Sequence, residues 1–398
     1  MVLLWQQCCL SARRVDNGQV DSRGGRGGTG GGVNLPVLRG HNDALVLDLL
    51  RGAGPGGLGR GDLAARTGLT PQAVSKIAAR LRDEGLVADA GREASTGGKP
   101  RTLLRLVPEA RYAVGLHLDR DELTAVRVDL AGRVVADGRV PLDFGAGPDA
   151  VVEEAVRAVA RVSGDRPLLG VGVAAPGPLD WRTGVLGRVT GFPEWEGFPL
   201  REVLEGRLGV PVRVDKDTNA GVAAGAGSGG AGSGGVGLGG VGLGGAAFGE
   251  AVAYVHVGTG LGAGLRLAGS GEVYRGRRSA AGEFGHQVLQ LDGPPCRCGG
   301  RGCAEVLCLD AVAGGRLEEA ARIVGEAAAN LVALLDVDRV LLGGRVVEAA
   351  PGVFLAGVRK VLGARAFVGG AVGVGLAEGG VAEGAAELVL GPLFGRGD

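Results

Sequence analysis

The amino-acid sequence predicts an α/β protein with more than one domain, and three observations support this prediction. The chain has 398 residues, more than one ordinary hydrophobic core accommodates, and 45% of them are hydrophobic. Short helical patterns separated by glycine occupy its first third, whereas apolar strand patterns alternate with helical ones from residue 111 onward. A histidine and three cysteines lie close together between residues 286 and 303, as in a small metal-binding loop.

Charge and cysteine content narrow the functional classes. The chain carries 43 basic and 43 acidic residues, so any surface for nucleic acid must be a local patch. No apolar run approaches the ~20 residues of a membrane-spanning helix. In the N-terminal stretch the basic pair Arg13-Arg14 follows the apolar residues, which is the wrong order for a secretion signal. We therefore expect a cytoplasmic protein with reduced thiols.

Residues 1–33 and residues 34–107 differ sharply in character. The first segment ends in a glycine-rich run and predicts a disordered tail. In the second, a short helical pattern at 62–67 is stopped by Gly68, and a new helix starts with Thr70 as N-cap and Pro71 at its first position. Apolar residues of the new helix recur at helical spacing, namely Val74, Ile77, Ala78 and Leu81. Two such helices joined by a glycine turn predict a helix-turn-helix.

A basic hairpin follows the second helix and predicts a wing. Strand patterns begin at 86–87 and return at 103–106, on either side of a basic turn. Between Arg60 and Arg105, nine basic residues outnumber five acidic ones, which is the local patch that DNA requires. The alternative is a generic helical hairpin with solvated charges. The residues predicted to contact DNA are Gln72, Ser75, Lys76 and Arg80 from the helix and Lys99 and Arg101 from the wing.

Residues 108–398 predict a larger α/β domain. Three strand patterns between 113 and 140, a helix at 149–162 and a buried strand at 168–174 form the opening of an actin-like, ribonuclease-H-like lobe. Residues 221–250 contain 15 glycines in 30 positions and predict a flexible insertion, because glycine costs a helix about 1 kcal/mol per residue. A helix at 317–335 and a strand at 340–342 follow. The predicted fold is a winged helix-turn-helix followed by a two-lobed actin-like ATPase fold.

Cys296, Cys298, Cys303 and His286 predict a structural zinc site. Three thiolates and one imidazole complete a tetrahedral zinc shell, and the intervening glycines allow a short loop to curl around one ion. Cys308 lies five positions beyond this set and is not expected to be a ligand. A disulfide or free core thiols are the alternatives, although disulfide frameworks belong mainly to exported domains.

The same stretch carries a family resemblance. The sequence G-E-F-G-H at 282–286, followed by C-R-C-G-G-R-G-C-A-E at 296–305, resembles the zinc signature of the ROK family of sugar-responsive repressors and sugar kinases. The resemblance extends from about Leu35 to the C-terminus, with breaks at the glycine-rich segment and after Glu305. It implies operator DNA, a sugar or sugar-derivative effector, zinc, and a homo-oligomer, either dimer or tetramer.

The resemblance also implies a sugar site. The family pattern falls on Lys216, Asp217, Glu283, His286 and Glu305. Lys216 replaces an asparagine of the family, so a cation that only donates stands where an amide both donates and accepts. An acidic sugar or a phosphosugar would suit this lysine. His286 is expected to bind zinc through one ring nitrogen and a sugar hydroxyl through the other.

Two stretches bear on catalysis. Gly258–Gly264 follows a strand and is either a phosphate loop or a tight structural turn. Kinases of the family place an aspartate, paired glycines and a threonine after their first strand, where this chain has Asp119, Arg120 and Asp121. These side chains oppose ATP binding, and we predict a transcriptional regulator without catalytic residues, a repressor that a sugar releases. The alternatives are a sugar kinase with a fused DNA-binding head, and a DNA-binding protein whose effector pocket no longer works.

Overall fold

A computed structural model describes residues 35–92, 101–227, 249–268, 271–365 and 372–396. Residues 39–398 belong to one compact unit. In the described part of the chain, no helix combines the length and the apolar content that crossing a bilayer requires.

The N-terminal part of this unit is a winged helix-turn-helix, as predicted. Its elements are α1 (Leu35–Ala53), β1 (Leu58–Gly59), α2 (Arg60–Thr67), α3 (Pro71–Asp83), β2 (Val87–Arg92) and β3 (Thr102–Leu106). The strands form an antiparallel sheet in the order β1-β3-β2. The hydroxyl of Thr70 accepts a hydrogen bond from the amide of Ala73 at 3.2 Å, which confirms the predicted cap of α3.

The first lobe of the larger domain is a five-stranded sheet with helices packed on it. Its elements are β4 (Tyr112–Leu118), β5 (Glu122–Asp129), β6 (Val134–Pro141), α4 (Pro148–Ser163), β7 (Leu168–Ala175), β8 (Leu179–Asp180), β9 (Val185–Leu186), α5 (Leu200–Leu208) and β10 (Val212–Lys216). The order is β10-β7-β4-β5-β6, with β10, β7 and β4 parallel. The carboxyl ends of these three strands therefore meet at one edge of the sheet.

The second lobe is a four-stranded sheet with the order β12-β11-β13-β14. The connecting helix α6 spans Asp217–Gly227. The elements that follow are β11 (Val252–Val257), β12 (Leu261–Arg266), α7 (Ala304–Ala313), α8 (Leu317–Leu335), β13 (Arg339–Gly343), α9 (Arg345–Ala349), α10 (Pro351–Ala364), β14 (Gly373–Leu376) and α11 (Val381–Leu390). Strands β11, β13 and β14 run parallel, and β11 and β12 form a hairpin.

Helix α6 corrects the predicted start of the glycine-rich insertion. The insertion was expected from about residue 221, but the helix continues to Gly227. The physical reason is tertiary packing: a side chain at Gly384 of α11 would overlap the carbonyl of Ala220, so the two helices approach at backbone distance. Such packing outweighs the low helix propensity of glycine. Residues 228–248 of the predicted insertion lie outside the described residues.

One hydrophobic core joins the DNA-binding segment to the larger domain. The cluster contains α1, α2 and α3 side chains, first-lobe strand residues and the C-terminal helix, including Val46, Leu47, Leu50, Val126, Val128, Ala386, Leu390 and Phe394. Within it, the buried guanidinium of Arg51 pairs with Glu387 of α11 and lies 4.6 Å from the ring centroid of Phe394. The predicted boundary at residue 107 therefore separates a winged helix-turn-helix from an α/β domain, and side chains from both pack in the same core.

Candidate functional site

The four predicted metal ligands converge. The ligand atoms of His286, Cys296, Cys298 and Cys303 all lie within 4.8 Å of one another. The Cys298 and Cys303 sulfurs are 3.7 Å apart, and the Cys296 sulfur is 3.8 Å from His286 Nδ1. A tetrahedron with Zn–S bonds of about 2.3 Å has edges of about 3.8 Å, so the spacing fits zinc. It excludes a disulfide between these cysteines, which would place the sulfurs about 2 Å apart.

The loop backbone explains this convergence. Gly299 and Gly302 adopt φ values of +93° and +63°, which favour glycine, and a side chain at Gly302 would overlap the carbonyl of Gln290. The amide of Cys296 donates to the carbonyl of Gly300 at 2.9 Å, which closes the turn. The ligand geometry is therefore set by the backbone of one short segment.

The thiol chemistry also favours a cation. Burial, followed by the neighbouring thiols, raises the pKa of Cys303 to about 12, whereas a hydrogen bond from the backbone at Gly300 lowers the pKa of Cys298. Three thiolates in one site repel one another unless a cation is present. Cys308 is fully buried in the second-lobe core, apart from this cluster, and burial raises its pKa to about 12. Its exclusion from the ligand set agrees with the expectation from the sequence.

A cavity of about 100 Å³ lies between the two lobes beside the metal cluster. We call it the interlobe cavity. The first lobe contributes residues that follow β4, β7 and β10, and the second lobe contributes the end of β11, the β11–β12 turn and the metal loop. All five residues of the predicted sugar site line it, namely Lys216, Asp217, Glu283, His286 and Glu305.

Glu305 and His286 are held in the cavity wall by their neighbours. Glu305 Oε2 accepts a hydrogen bond from the amide of Leu261 at 3.0 Å. His286 directs Nδ1 toward Cys296, which leaves Nε2 as the ring nitrogen for a cavity ligand. A side chain at Gly285 would overlap the carbonyl of Leu261, so this glycine of the motif permits close contact between the metal loop and β12.

Lys216 is paired with groups of the protein itself. Its Nζ donates to the carbonyl of Ala281 and lies 3.1 Å from Glu283 Oε1, and its side chain is only 4% exposed. The positive charge is thus neutralised inside the protein. This pairing argues against the expectation that Lys216 selects an acidic sugar or a phosphosugar, and it engages one oxygen of Glu283.

Asp217 is the carboxylate best placed to act on a ligand. It opens α6 and lines the cavity, and burial raises its pKa against the opposing effects of His256 and the Thr218 amide. The preceding Asp215 has a structural role, because it accepts hydrogen bonds from Arg275 at 2.7 Å and Asn219 at 2.7 Å. A carboxylate that is expensive to ionise and faces a cavity is typical of ligand sites.

The other end of the interlobe cavity is closed by side chains from both lobes. Thr259 donates its hydroxyl to Asp119, and Arg120 donates to the Thr259 carbonyl at 3.1 Å. Arg345 of α9 pairs with Asp121 at 2.8 Å and lies 3.8 Å from Asp119. We call these five residues the cross-lobe latch. Thr259 belongs to the β11–β12 turn, part of the glycine-rich stretch for which the sequence left a phosphate loop or a tight structural turn open.

Two residues near the latch were missed by sequence reasoning. His256 lines the cavity, accepts or donates a 3.0 Å hydrogen bond with the Tyr254 hydroxyl, and faces His117 edge-on at a centroid distance of 5.9 Å. A lone histidine in the apolar strand V-A-Y-V-H-V was the available signal. Arg345 gave no signal, since its partner Asp121 is 224 residues away.

Some of the residues predicted to contact DNA are exposed, and one is paired within the protein. Gln72, Ser75 and Lys76 are exposed on α3, and Arg101 is exposed just before β3. Arg80 instead pairs with Asp43 of α1, with Nε 3.1 Å from Oδ2, and its side chain is 39% exposed. Lys99 lies outside the described residues.

Comparison with known proteins finds family matches in both the N-terminal segment and the larger domain. Residues 243–311 match the ROK family model, and residues 39–94 match that of the MarR family. The xylose repressor of Bacillus subtilis is 27% identical over 254 residues, which are 63% of this chain and 61% of that protein. The Escherichia coli DNA-binding transcriptional dual regulator NagC is 28% identical over 286 residues, 70% of this chain and 64% of that protein. The chain thus spans about three fifths of the curated relatives it matches.

Solved structures give the same picture. The ROK hexokinase from Thermus thermophilus is 30% identical, with a TM-score of 0.51 over 69% of this chain and 96% of that one. A ROK family transcriptional regulator described as a homologue of the E. coli MLC protein covers 90% of this chain and 97% of its own, with a TM-score of 0.69. At 19% identity, the second likeness shows the fold alone.

Proposed function

The chain belongs to the ROK family, and from that premise we propose that it is a sugar-responsive DNA-binding transcriptional repressor. The observation that carries the proposal is the convergence of Asp217, Glu283, His286 and Glu305 on one cavity, next to a cluster of zinc ligands and in a chain with a winged helix-turn-helix. Relatives named xylose repressor and N-acetylglucosamine repressor support a sugar as the effector.

Zinc in this proposal is structural. His286, Cys296, Cys298 and Cys303 hold it, and the ion fixes the metal loop that carries Glu283 and Glu305 at its two sides. A neutral sugar suits the cavity, because Lys216 is already paired with Glu283. Asp217 accepts a hydroxyl hydrogen bond from the first lobe, while Glu305 and His286 engage the sugar from the second.

Signal transfer follows from the two-lobed construction. A ligand shifts an equilibrium only by binding one state better, and the cavity residues reach a common sugar only when the lobes are closed. The shared core ties α1 to the first-lobe strands and to α11, so lobe closure changes the support of the DNA-binding helices. We expect the sugar to weaken operator binding by about 1–3 kcal/mol.

DNA recognition uses α3 in a cytoplasmic homo-oligomer, a dimer or tetramer that spans two half-sites about one helical turn or a multiple apart. Gln72, Ser75 and Lys76 face the major groove, and Lys99 and Arg101 of the wing reach the backbone or minor groove. Arg80 fixes α3 against α1 through Asp43.

A sugar kinase remains the second candidate, because the hexokinase likeness covers nearly all of that enzyme. The cross-lobe latch opposes it, since Asp119 and Asp121 bring negative charge to the phosphate position and Arg345 ties them to the second lobe. We propose that the chain transfers no phosphoryl group. A coupled ADP-release assay that gives sugar-dependent turnover would reverse this assignment.

The decisive experiment is a mobility-shift titration of operator DNA across a panel of neutral sugars. Glu305→Gln should abolish the sugar response and leave sugar-free DNA binding unchanged, while the exposed α8 control Glu318→Gln should behave as the parent. If Glu305→Gln still releases DNA on adding sugar, the effector site has been misplaced. If no sugar alters binding by the parent, the protein is a DNA-binding protein with an inactive pocket.

A separate arm tests α3. Lys76→Ala should weaken binding at all operator sequences and lower the salt slope by about one, because one phosphate contact is lost. Lys360→Ala, an equally exposed lysine on α10, makes the same change of charge away from the DNA face. Equal effects of the two substitutions would show that α3 does not contact DNA.

A further inference from the structure

A second and larger cavity, of about 540 Å³, lies where β10, α6 and the C-terminal segment after α11 meet. It is separate from the interlobe cavity: Asp215 lines this one and Lys216, the next residue, lines the other. Six arginines and four acidic residues contribute to its wall. The arginines are Arg182, Arg201, Arg213, Arg266, Arg275 and Arg396, and we call the space the arginine cavity.

At least three of the acidic groups in this wall already have partners, and one of these partners is an arginine of the same wall. Asp215 holds Arg275 at 2.7 Å, and Glu205 accepts from the amide of Val212 at 3.0 Å. Glu387 is committed to Arg51 of α1. These three carboxylates thus have partners other than Arg266.

Arg266, at the end of β12, has no ion-pair partner among the described residues. It is partly buried and makes no hydrogen bond or ion pair with any other described residue. Burial lowers its pKa, the neighbouring Arg396 lowers it further, and Glu250 raises it, although Glu250 itself pairs with Arg339 at 3.1 Å. A guanidinium that is desolvated beside a second one costs free energy unless an anion joins them.

We propose that the arginine cavity binds a small organic anion that carries a phosphate or carboxylate group. Guanidinium groups grip both anions through paired N–H donors, and a volume of about 540 Å³ lies in the range of small-molecule sites. The indole of Trp181, against which Arg275 lies at 4.4 Å, supplies an apolar wall for the rest of the ligand. The inference goes beyond the proposed sugar response, because it concerns another cavity and another ligand class.

Two residues in the wall of this cavity form ion pairs with α1 of the DNA-binding segment. Arg396 in its wall pairs with Asp48 of α1 at 2.5 Å, and Glu387 in its wall pairs with Arg51 of the same helix. An anion that draws Arg396 into the cavity competes with Asp48 for the guanidinium. A bound anion would therefore weaken the ion pair that holds α1 in place, and this effect does not require lobe closure.

The test is calorimetric titration and thermal shift of the full chain with inorganic pyrophosphate and, separately, citrate, at constant ionic strength. The parent should bind at least one of the two and gain thermal stability by mass action. Arg266→Gln should weaken that binding by about tenfold or more, as expected for loss of a charge-assisted hydrogen-bond pair. A preference for pyrophosphate identifies a phosphate ligand, and one for citrate identifies a carboxylate.

Matched variants keep the test decisive. Arg322→Gln removes an exposed arginine of α8 outside this wall and should bind the anion as the parent does. Without anion, Arg266→Gln should melt no lower than the parent, because it removes a desolvated charge. If that variant does not fold, Arg266→Lys keeps the charge, loses the paired donors, and should bind several-fold more weakly.

Two results would overturn the proposal: no binding of either probe by the parent, or equal weakening in Arg266→Gln and Arg322→Gln. Neither result bears on the sugar site, because release of operator DNA by a neutral sugar should be unchanged in Arg266→Gln. Conversely, the parent protein could bind pyrophosphate through Arg266 while no neutral sugar affects its DNA binding. That result would support the anion site and contradict the proposed sugar effector.

Discussion

The two ends of the interlobe cavity are built in different ways. At the metal end, four ligands and Glu305 come from one segment of about twenty residues whose glycines fix the backbone. At the latch end, Asp119, Arg120 and Asp121 of the first lobe meet Thr259 and Arg345 of the second across long stretches of sequence. The first end presents groups for a ligand, and the second fills its space with its own ion pairs. The comparison shows that one segment builds the first end, whereas the second end depends on contacts between the lobes.

The largest expected effect concerns the metal end. Cys303→Ser should reduce bound zinc from about one per chain to almost none and abolish the sugar response, because the loop loses its cross-link. Elemental analysis and limited proteolysis of residues 286–305 measure this. Cys308→Ser is the control and should retain zinc even if it lowers core stability. If Cys303→Ser still binds one zinc per chain, Cys303 is not a zinc ligand and the metal end is not built as described.

The second prediction concerns pH at the latch end. Burial, and then the nearby His256, lower the pKa of His117 to about 4, whereas an unfolded histidine titrates near 6.5. The unfolded chain therefore binds the proton first, and stability should fall as pH drops from about 6.5 to about 4, by on the order of 2–3 kcal/mol. Urea unfolding across this window measures the slope.

His117→Gln should flatten that slope, whereas His41→Gln, at an exposed position of α1, should leave it intact. An unchanged slope in His117→Gln would show that this histidine is protonated in the folded protein as easily as in the unfolded chain.

The third prediction concerns Asp217, between the two ends. Because its folded pKa is raised, the carboxyl destabilises the protein once the pH exceeds the ordinary carboxyl range near 4, and the penalty grows as pH rises. Asp217→Asn should therefore raise the melting temperature at pH 7, while the sugar response is lost. The gain should vanish near pH 3. A lower melting temperature at pH 7 would contradict the assignment.

The smallest effect is expected at the latch itself. Arg345→Gln removes an ion pair whose partners are 43% and 57% exposed, so stability should change by about 0–1 kcal/mol. Sugar-dependent ADP release should stay undetectable, because Asp119 and Asp121 remain and their negative charge opposes a bound phosphate. The appearance of turnover in this variant would mean that the latch inhibits a working kinase.

Local patterns were enough to predict much of the fold. The helix expected at 317–335 and the α3 apolar stripe were confirmed, because both depend on periodicity within one element. The convergence of His286, Cys296, Cys298 and Cys303 was predicted with equal ease, since spacing in one loop determines their geometry. The length of α6 was not, because its stability comes from contact with Gly384, far along the chain.

The chemistry of the cavity was harder to predict where it depended on pairing. Lys216 was identified as a cavity residue, but its charge is cancelled by Glu283, and only folding brings the two together. Arg80 was identified on the outward face of α3, but its partner Asp43 belongs to α1. Residue type and position follow from sequence, whereas the state of a charge depends on neighbours that sequence does not place.

The core shared by α1 and α11 has a consequence for the order of synthesis. Val46, Leu47 and Leu50 are synthesised long before Leu390 and Phe394, which belong to the same core. Arg51 likewise waits for Glu387. We expect the DNA-binding head to stay incomplete until the chain is finished, since domains that share packing cannot mature separately. Nascent and prematurely terminated chains would then be unable to occupy operators, and only finished molecules would compete for them.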